Sequence, residues 1–187
     1  MGYPRSSGRA LAILPELTTE RLTLRRFGFD DATFILRLLN EPSFIENIGD
    51  RGVRSIEDAH RYLRDGPIAM YEKYGFGLWH VARNSDGAAV GTCGLLKRDN
   101  LPDVDIGYAF LPEFWGLGYA IEAAEATMRH GAGKFGLKRI VAVVSQGNDA
   151  SIRVLEKLGM RHESMFAMRP DEPEVRLYGR TLEPPGD

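Results

Sequence analysis

A glycine-bearing loop between a strand-like segment and a long helical one constrains this chain more than any other feature. Residues 103–110 read as a strand, closed by Leu111-Pro112. Trp115-Gly116-Leu117-Gly118-Tyr119-Ala120 follows, and Ala120, Ala124, Met128, Ala132 and Phe135 then recur at helical spacing up to Gly136. Glycines let the backbone turn tightly and approach a ligand with no Cβ in the way. The first amides of a helix lack internal partners, and with the helix dipole they form a site suited to phosphate or diphosphate. A bare turn into a helix would use the same glycines. A dinucleotide-binding fold is the competing functional reading, and two features weigh against it. It needs an acid about 20 residues on, near the end of the next strand. Here that strand ends in Val144-Ser145-Gln146, and the strand before the loop belongs to a meander.

A second segment lies about 30 residues downstream. Asn148 is placed to cap a helix that runs through Leu158, and Gly159 to end it. Between the two helices, residues 139–144 carry Ile140-Val141-Ala142-Val143-Val144, an apolar run expected of a strand buried on both faces.

The remaining elements complete one domain. Residues 21–27 alternate as a half-buried strand. Asp30 or Asp31 opens a helix through Phe34, Ile35, Leu38 and Leu39, which Pro42 stops. Ser55, with Asp58 three residues on, starts another carrying Ala59, Tyr62 and Leu63. Asp65-Gly66-Pro67 interrupts it, and a further segment reaches about Tyr74. Strands 76–83 and 89–96 flank Asn84-Ser85-Asp86-Gly87 and form an antiparallel meander with 103–110. Residues 160–168 and 175–181 close the chain as two strands. This order predicts a single α+β domain over residues 17–182, with loose tails at 1–16 and 183–187. Trp79, Phe76 and Tyr74 are expected in its core.

Composition narrows the function. With 24 basic and 26 acidic residues the net charge is −2, so no nucleic acid is expected to be held by bulk charge. The single cysteine, Cys93, excludes an internal disulfide. The four histidines are scattered without metal-ligand spacing, so no metal is expected. No run of about 18 apolar residues exists to span a membrane, and residues 1–9 lack an apolar signal core. A cytoplasmic enzyme or binding module is the expectation.

Four segments together resemble the GCN5-related N-acetyltransferase (GNAT) superfamily, and within it the ribosomal-protein alanine acetyltransferase branch. They are Leu17-Thr18-Thr19-Glu20-Arg21-Leu22-Thr23-Leu24-Arg25, Asp105-Ile106-Gly107-Tyr108, Trp115 to Ala120 with Glu122-Ala123, and Asn148 to Gly159. The resemblance implies an acyl-CoA N-acyltransferase fold: an α+β domain with a mixed, mostly antiparallel central sheet flanked by helices. Strands 103–110 and 139–144 would splay into a V that takes acetyl-CoA as cosubstrate. The backbone of Tyr108, Ala109, Phe110 and Leu111 would hydrogen-bond the pantetheine arm like an added strand. Backbone amides of Gly116, Leu117, Gly118, Tyr119 and Ala120 would hold the diphosphate, and Asn148 would touch the arm near its amide. The family usually has Gln or Arg where Trp115 stands, but main-chain donors do most of the binding.

The implied activity is direct acetyl transfer to a primary amine: a protein N-terminus, an amino acid, a polyamine or an aminoglycoside. Many relatives place a proton-donating tyrosine where this chain has Leu155, so Ser151, one turn earlier, is the substitute candidate. Asp105 stands where histone-type relatives have a glutamate base, with a water chain as the alternative. Asp50, Glu57 and Tyr178 are candidate acceptor contacts by position. A non-catalytic acyl-CoA sensor is the alternative function, and a homodimer is left open.

Overall fold

The computed structural model describes residues 15–183. Strand β1 (Pro15–Thr18) turns back on β2 (Leu22–Arg26), whose alternation buries Leu22 and Leu24 completely. Helix α1 (Ala32–Leu39) then buries Ala32, Ile35, Leu38 and Leu39. Pro42 does not merely stop it. As first residue of a short helix α2 (Pro42–Asn47), it loses nothing by lacking an N–H there. Helix α3 (Ile56–Leu63) begins at a capping box: the Asp58 amide donates to Ser55 Oγ, and the Ser55 amide to Asp58 Oδ2, both at 3.1 Å. The expected interruption at Asp65-Gly66-Pro67 is also corrected. A π-helical turn, Arg64–Ile68, absorbs Pro67 and carries the chain into α4 (Ala69–Tyr74).

The meander forms as expected from β3 (Leu78–Arg83), β4 (Ala89–Leu96) and β5 (Asp105–Phe110). Helix α5 (Tyr119–Phe135), strand β6 (Arg139–Ser145), helix α6 (Asp149–Lys157) and strands β7 (Arg161–Ala167) and β8 (Glu174–Thr181) follow. One eight-stranded sheet results, in the order β1-β2-β3-β4-β5-β6-β8-β7.

The join between β5 and β6 is the informative one. They are parallel but in register at one pair only, Asp105 with Val141, where the Val141 amide donates to Val104 O at 3.1 Å. Beyond that point β5 stays with β4 from Asp105 to Phe110, and β6 stays with β8 from Arg139 to Ser145. Each strand is held by its other neighbour, so the sheet opens as the V that the family resemblance implies.

Alternate residues of β5 serve two cores. Ile106 and Phe110 join Trp79, Leu95, Ala123, Met128, Ile140 and Leu155 beneath α5 and α6. On the other face Ala109, with Leu111 just past the strand, packs with Phe27 and with Ile35, Leu38 and Leu63 of the first helices. Burying each Leu, Ile, Met or Phe among these favours folding by about 1.5–3 kcal/mol. Phe76 and Trp79 are buried as expected. The expected N-terminal tail is corrected at its end. Glu16 lies in β1 and binds Arg26 at 2.6 Å and Lys134 at 2.9 Å, so residues 15–16 belong to the sheet. The tails over 1–14 and 184–187 lie outside the described residues.

Candidate active site

Backbone hydrogen bonds of a strand point alternately to its two sides. The Leu111 amide donates to Val90 O at 3.0 Å, so odd-numbered residues from 105 to 111 bond toward β4. Ile106, Tyr108 and Phe110 therefore turn their backbone groups toward β6. Beyond Asp105 that strand has left, and the Tyr108 and Phe110 groups face the gap. The Trp115 indole N–H takes the Phe110 carbonyl at 2.7 Å. The Tyr108 amide and carbonyl and the Phe110 amide remain as an open edge for an extended ligand.

The gap continues as a cavity of about 630 Å³. Its lining includes Tyr108, Ala109, Phe110, Gly116, Gly118, Tyr119, Ala120, Asn148 and Ser151. Nine of the residues expected at the site thus come together. Gly116 and Gly118 sit in left-handed backbone at φ +74° and +81°, where side chains are strained, and Gly118 is the N-cap of α5. Apart from Gly116 and its two chain neighbours, no atom of the described residues lies within 4 Å of where a Cβ on Gly116 would stand. The loop presents bare main chain and helix-start amides to the cavity, the arrangement a diphosphate requires.

Helix α6 supplies the opposite rim. Asn148 Oδ1 accepts from the Ser151 amide at 3.1 Å, so Asn148 is the cap the sequence suggested. The Tyr108 hydroxyl donates to Ser151 O at 3.3 Å, joining β5 to α6. Burial pushes the Tyr108 phenol up, so it is neutral at any physiological pH. Leu155, at the position where the resemblance implies a tyrosine in many relatives, is fully buried in the core.

Leu111, Leu117 and Asp105 are outside the cavity lining. Leu111 is buried with its amide on β4, and the Leu117 side chain is exposed. Asp105 sits at the root of the wedge, 1% exposed, with neither oxygen hydrogen-bonded and Arg98 at 3.4 Å. Burial pushes its carboxyl up to about 6, with Arg98 opposing. The acceptor guesses do not converge on the cavity either: Asp50 pairs with Arg54 at 2.5 Å, Glu57 is exposed, and Tyr178 is buried against His162.

Sequence reasoning looked to the first helices for the acceptor side but missed α2 and named as contacts none of the residues that line the cavity there: Leu38, Glu41, Phe44, Asn47 and Ile48. The Ser145 hydroxyl donates to Asn47 O at 2.9 Å and pins α2 to the end of β6. Among the described residues no three His, Cys, Asp or Glu side chains gather as a metal site, and no helix is long and apolar enough to cross a membrane.

Known proteins resemble this chain in sequence and in fold. A family model described as "Acetyltransferase (GNAT) domain" matches residues 21–161. The uncharacterized protein YkkB of Bacillus subtilis is 32% identical over 169 residues, 88% of this chain and 95% of its own. The uncharacterized N-acetyltransferase YoaA of the same organism is 31% identical over 155 residues, 82% of this chain and 87% of its own. Among solved structures, an acetyltransferase from Agrobacterium tumefaciens superposes with TM-score 0.74 at 25% identity, covering 90% of this chain and 95% of that one. RimL, a ribosomal L7/L12 alpha-N-protein acetyltransferase in complex with coenzyme A, superposes with TM-score 0.78 over 90% of this chain and 98% of that one. At 18% identity that last likeness is one of fold. A splayed sheet, a glycine loop opening α5, and a family match that spans both make this chain a member of the GNAT family of N-acetyltransferases.

Proposed function

We propose that this chain transfers acetyl from acetyl-CoA directly to a single primary amine attached to a partly apolar body, such as a protein N-terminus or an amino acid. The observation that carries this reading is the unpaired Tyr108–Phe110 edge beside the glycine loop. Its spare amides and carbonyl suit a pantetheine arm with two amides, and Gly116 to Ala120 suit the diphosphate.

Acetyl-CoA supplies an activated thioester, and the protein has only to hold, orient and move protons. The Tyr108 and Phe110 backbone fixes the arm along β5. A free α-amino group titrates near 7.7–8.0, so an appreciable neutral fraction exists at neutral pH. Asp105, with a carboxyl near 6 and neither oxygen hydrogen-bonded, Oδ2 lying 3.4 Å from Arg98, is assigned as proton acceptor. Because it lies outside the cavity lining, it acts through water. Ser151 lines the cavity, and the cap uses its amide rather than its hydroxyl. That hydroxyl is assigned to hydrogen-bond the departing thiolate sulfur.

Acceptor choice rests on the α1–α2 wall. Glu41 is its one carboxylate, set among Leu38, Phe44 and Ile48, with Arg37 at 3.8 Å along the chain. On that wall one acid matches one ammonium; the cavity's other acid, Asp149, stands on the α6 rim, where Arg153 and Lys157 also line it. A polyamine or aminoglycoside carries several charges and would need several acids. A panel of peptides, amino acids, polyamines and aminoglycosides, assayed by release of CoA thiol, tests this. Turnover of peptides or amino acids is expected. Preferential turnover of polycations overturns the acceptor assignment, and intact CoA binding with no thiol release marks an acyl-CoA-binding module instead.

A further inference from the structure

The segment Thr19-Glu20-Arg21 is part of what makes this chain resemble its family, yet none of the steps above uses it. It reaches the first turn of α5. Glu122 Oε1 accepts from the Thr19 hydroxyl at 2.6 Å and from the Arg21 amide at 2.9 Å. Glu122 Oε2 accepts from Arg21 Nε at 2.6 Å. Arg21 Nη1 then donates to Leu117 O at 2.8 Å, and the guanidinium lies over the Tyr119 ring, 4.9 Å from its centre. Asn84 fixes the bracket from behind: its amide donates to Arg21 O at 2.9 Å and its side chain to Thr19 O at 3.1 Å. Although burial opposes ionisation, the Thr19 and Arg21 hydrogen bonds hold the Glu122 carboxyl below its usual range.

We infer that Arg21, held by Glu122, is a positioning residue that aims the glycine-loop amides at the diphosphate. A trans peptide points the carbonyl of one residue and the N–H of the next in opposite directions. With Leu117 O bound to Arg21, the Gly118 N–H turns away from Arg21. Gly118 separates two spaces: it lines the cavity on one side and, on the other, the groove walled by Thr19, Arg21 and Glu122. Turned from that groove, the Gly118 amide faces the cavity. A partly exposed ion pair adds little to stability; its effect here is orientation. Arginine is required because one rigid fork serves a carboxylate and a carbonyl together, and a lysine ammonium does not reproduce that geometry.

This inference rests on the diphosphate reading of the loop, and its test separates the two. Calorimetry gives the Kd for CoA, and turnover gives kcat/KM for acetyl-CoA and for S-acetyl-pantetheine, which has the same arm and thioester but no diphosphate. Wild type, Arg21→Met and Arg21→Lys are compared, with circular dichroism confirming that each is folded. Both variants are expected to weaken CoA binding about tenfold or more. The acetyl-CoA preference over S-acetyl-pantetheine should fall by a similar factor, mainly through KM. If wild type shows no such preference, the loop does not bind the diphosphate. If wild type shows it and either variant keeps it, Arg21 geometry does not position the loop; recovery in Arg21→Lys alone would assign the effect to charge.

Discussion

The Tyr108 hydroxyl reaches the Ser151 carbonyl oxygen, 3.3 Å away and 43 residues on, where β5 has already parted from β6. One side chain thus ties the strand that bears the open edge to the helix on the other rim. A hydrogen bond of this kind contributes about 1 kcal/mol. Tyr108→Phe keeps the ring and loses the bond. Thermal unfolding should shift down by roughly 2–4 °C for a chain of this size. An unchanged Tm would mean the tie is not formed in solution.

At Gly118 the backbone at φ +81° resists any side chain, and a Cβ would stand 3.3 Å from Arg21 Nη2. Gly118→Val therefore both strains the loop and pushes against the Arg21 guanidinium that holds it. The KM for acetyl-CoA should rise about tenfold or more, with the far-ultraviolet circular dichroism of wild type. Wild-type KM in a folded Gly118→Val protein would remove the loop from the binding site.

Ser151 contributes its amide to the helix cap and keeps its hydroxyl free for chemistry. Ser151→Ala leaves the cap in place. Steady-state kinetics should show kcat lowered about tenfold or more with KM for acetyl-CoA little changed. A wild-type kcat would transfer the thiolate's hydrogen bond to water.

Asp105 gives two pH effects of defined sign. As proton acceptor it works ionised, so kcat/KM should rise through about pH 6, and Asp105→Asn should lower activity and remove that limb. For stability, a carboxyl whose value is raised on folding binds its proton more tightly in the folded state. Its contribution is favourable only below the folded value, and stability is lost as pH climbs from about 4 to about 6. Above that range the ionised, buried carboxyl costs on the order of 3 kcal/mol. Asp105→Asn should therefore melt higher than wild type at pH 7.5, and the advantage should vanish below pH 4. Parallel melting curves of the two proteins across that range would show that the buried carboxyl is not perturbed.

What the sequence disclosed depended on whether a local rule had one outcome. Gly116, Gly118 and Gly136 were legible because positive φ selects glycine, and Asn148 because a cap needs a short acceptor. The run around Val141 was legible because a strand covered on both faces has no polar alternation. Pro42 was ambiguous, since proline both ends one helix and begins the next, and α2 with its Glu41 wall was lost with it. β1 is four residues long and gave no period to count. Asp105 lies outside the lining because of where β5 and β6 part, a matter of pairing and not of spacing. Glu122 meets Arg21 across 101 residues, which no local pattern encodes.

The account stands on a main-chain site for a diphosphate-bearing thioester carrier, and calorimetric titration of the purified protein with CoA tests it most directly. One site per chain is predicted, with a Kd in the range of about 1–100 µM. No heat of binding at millimolar CoA, from protein whose circular dichroism shows it folded, would contradict it.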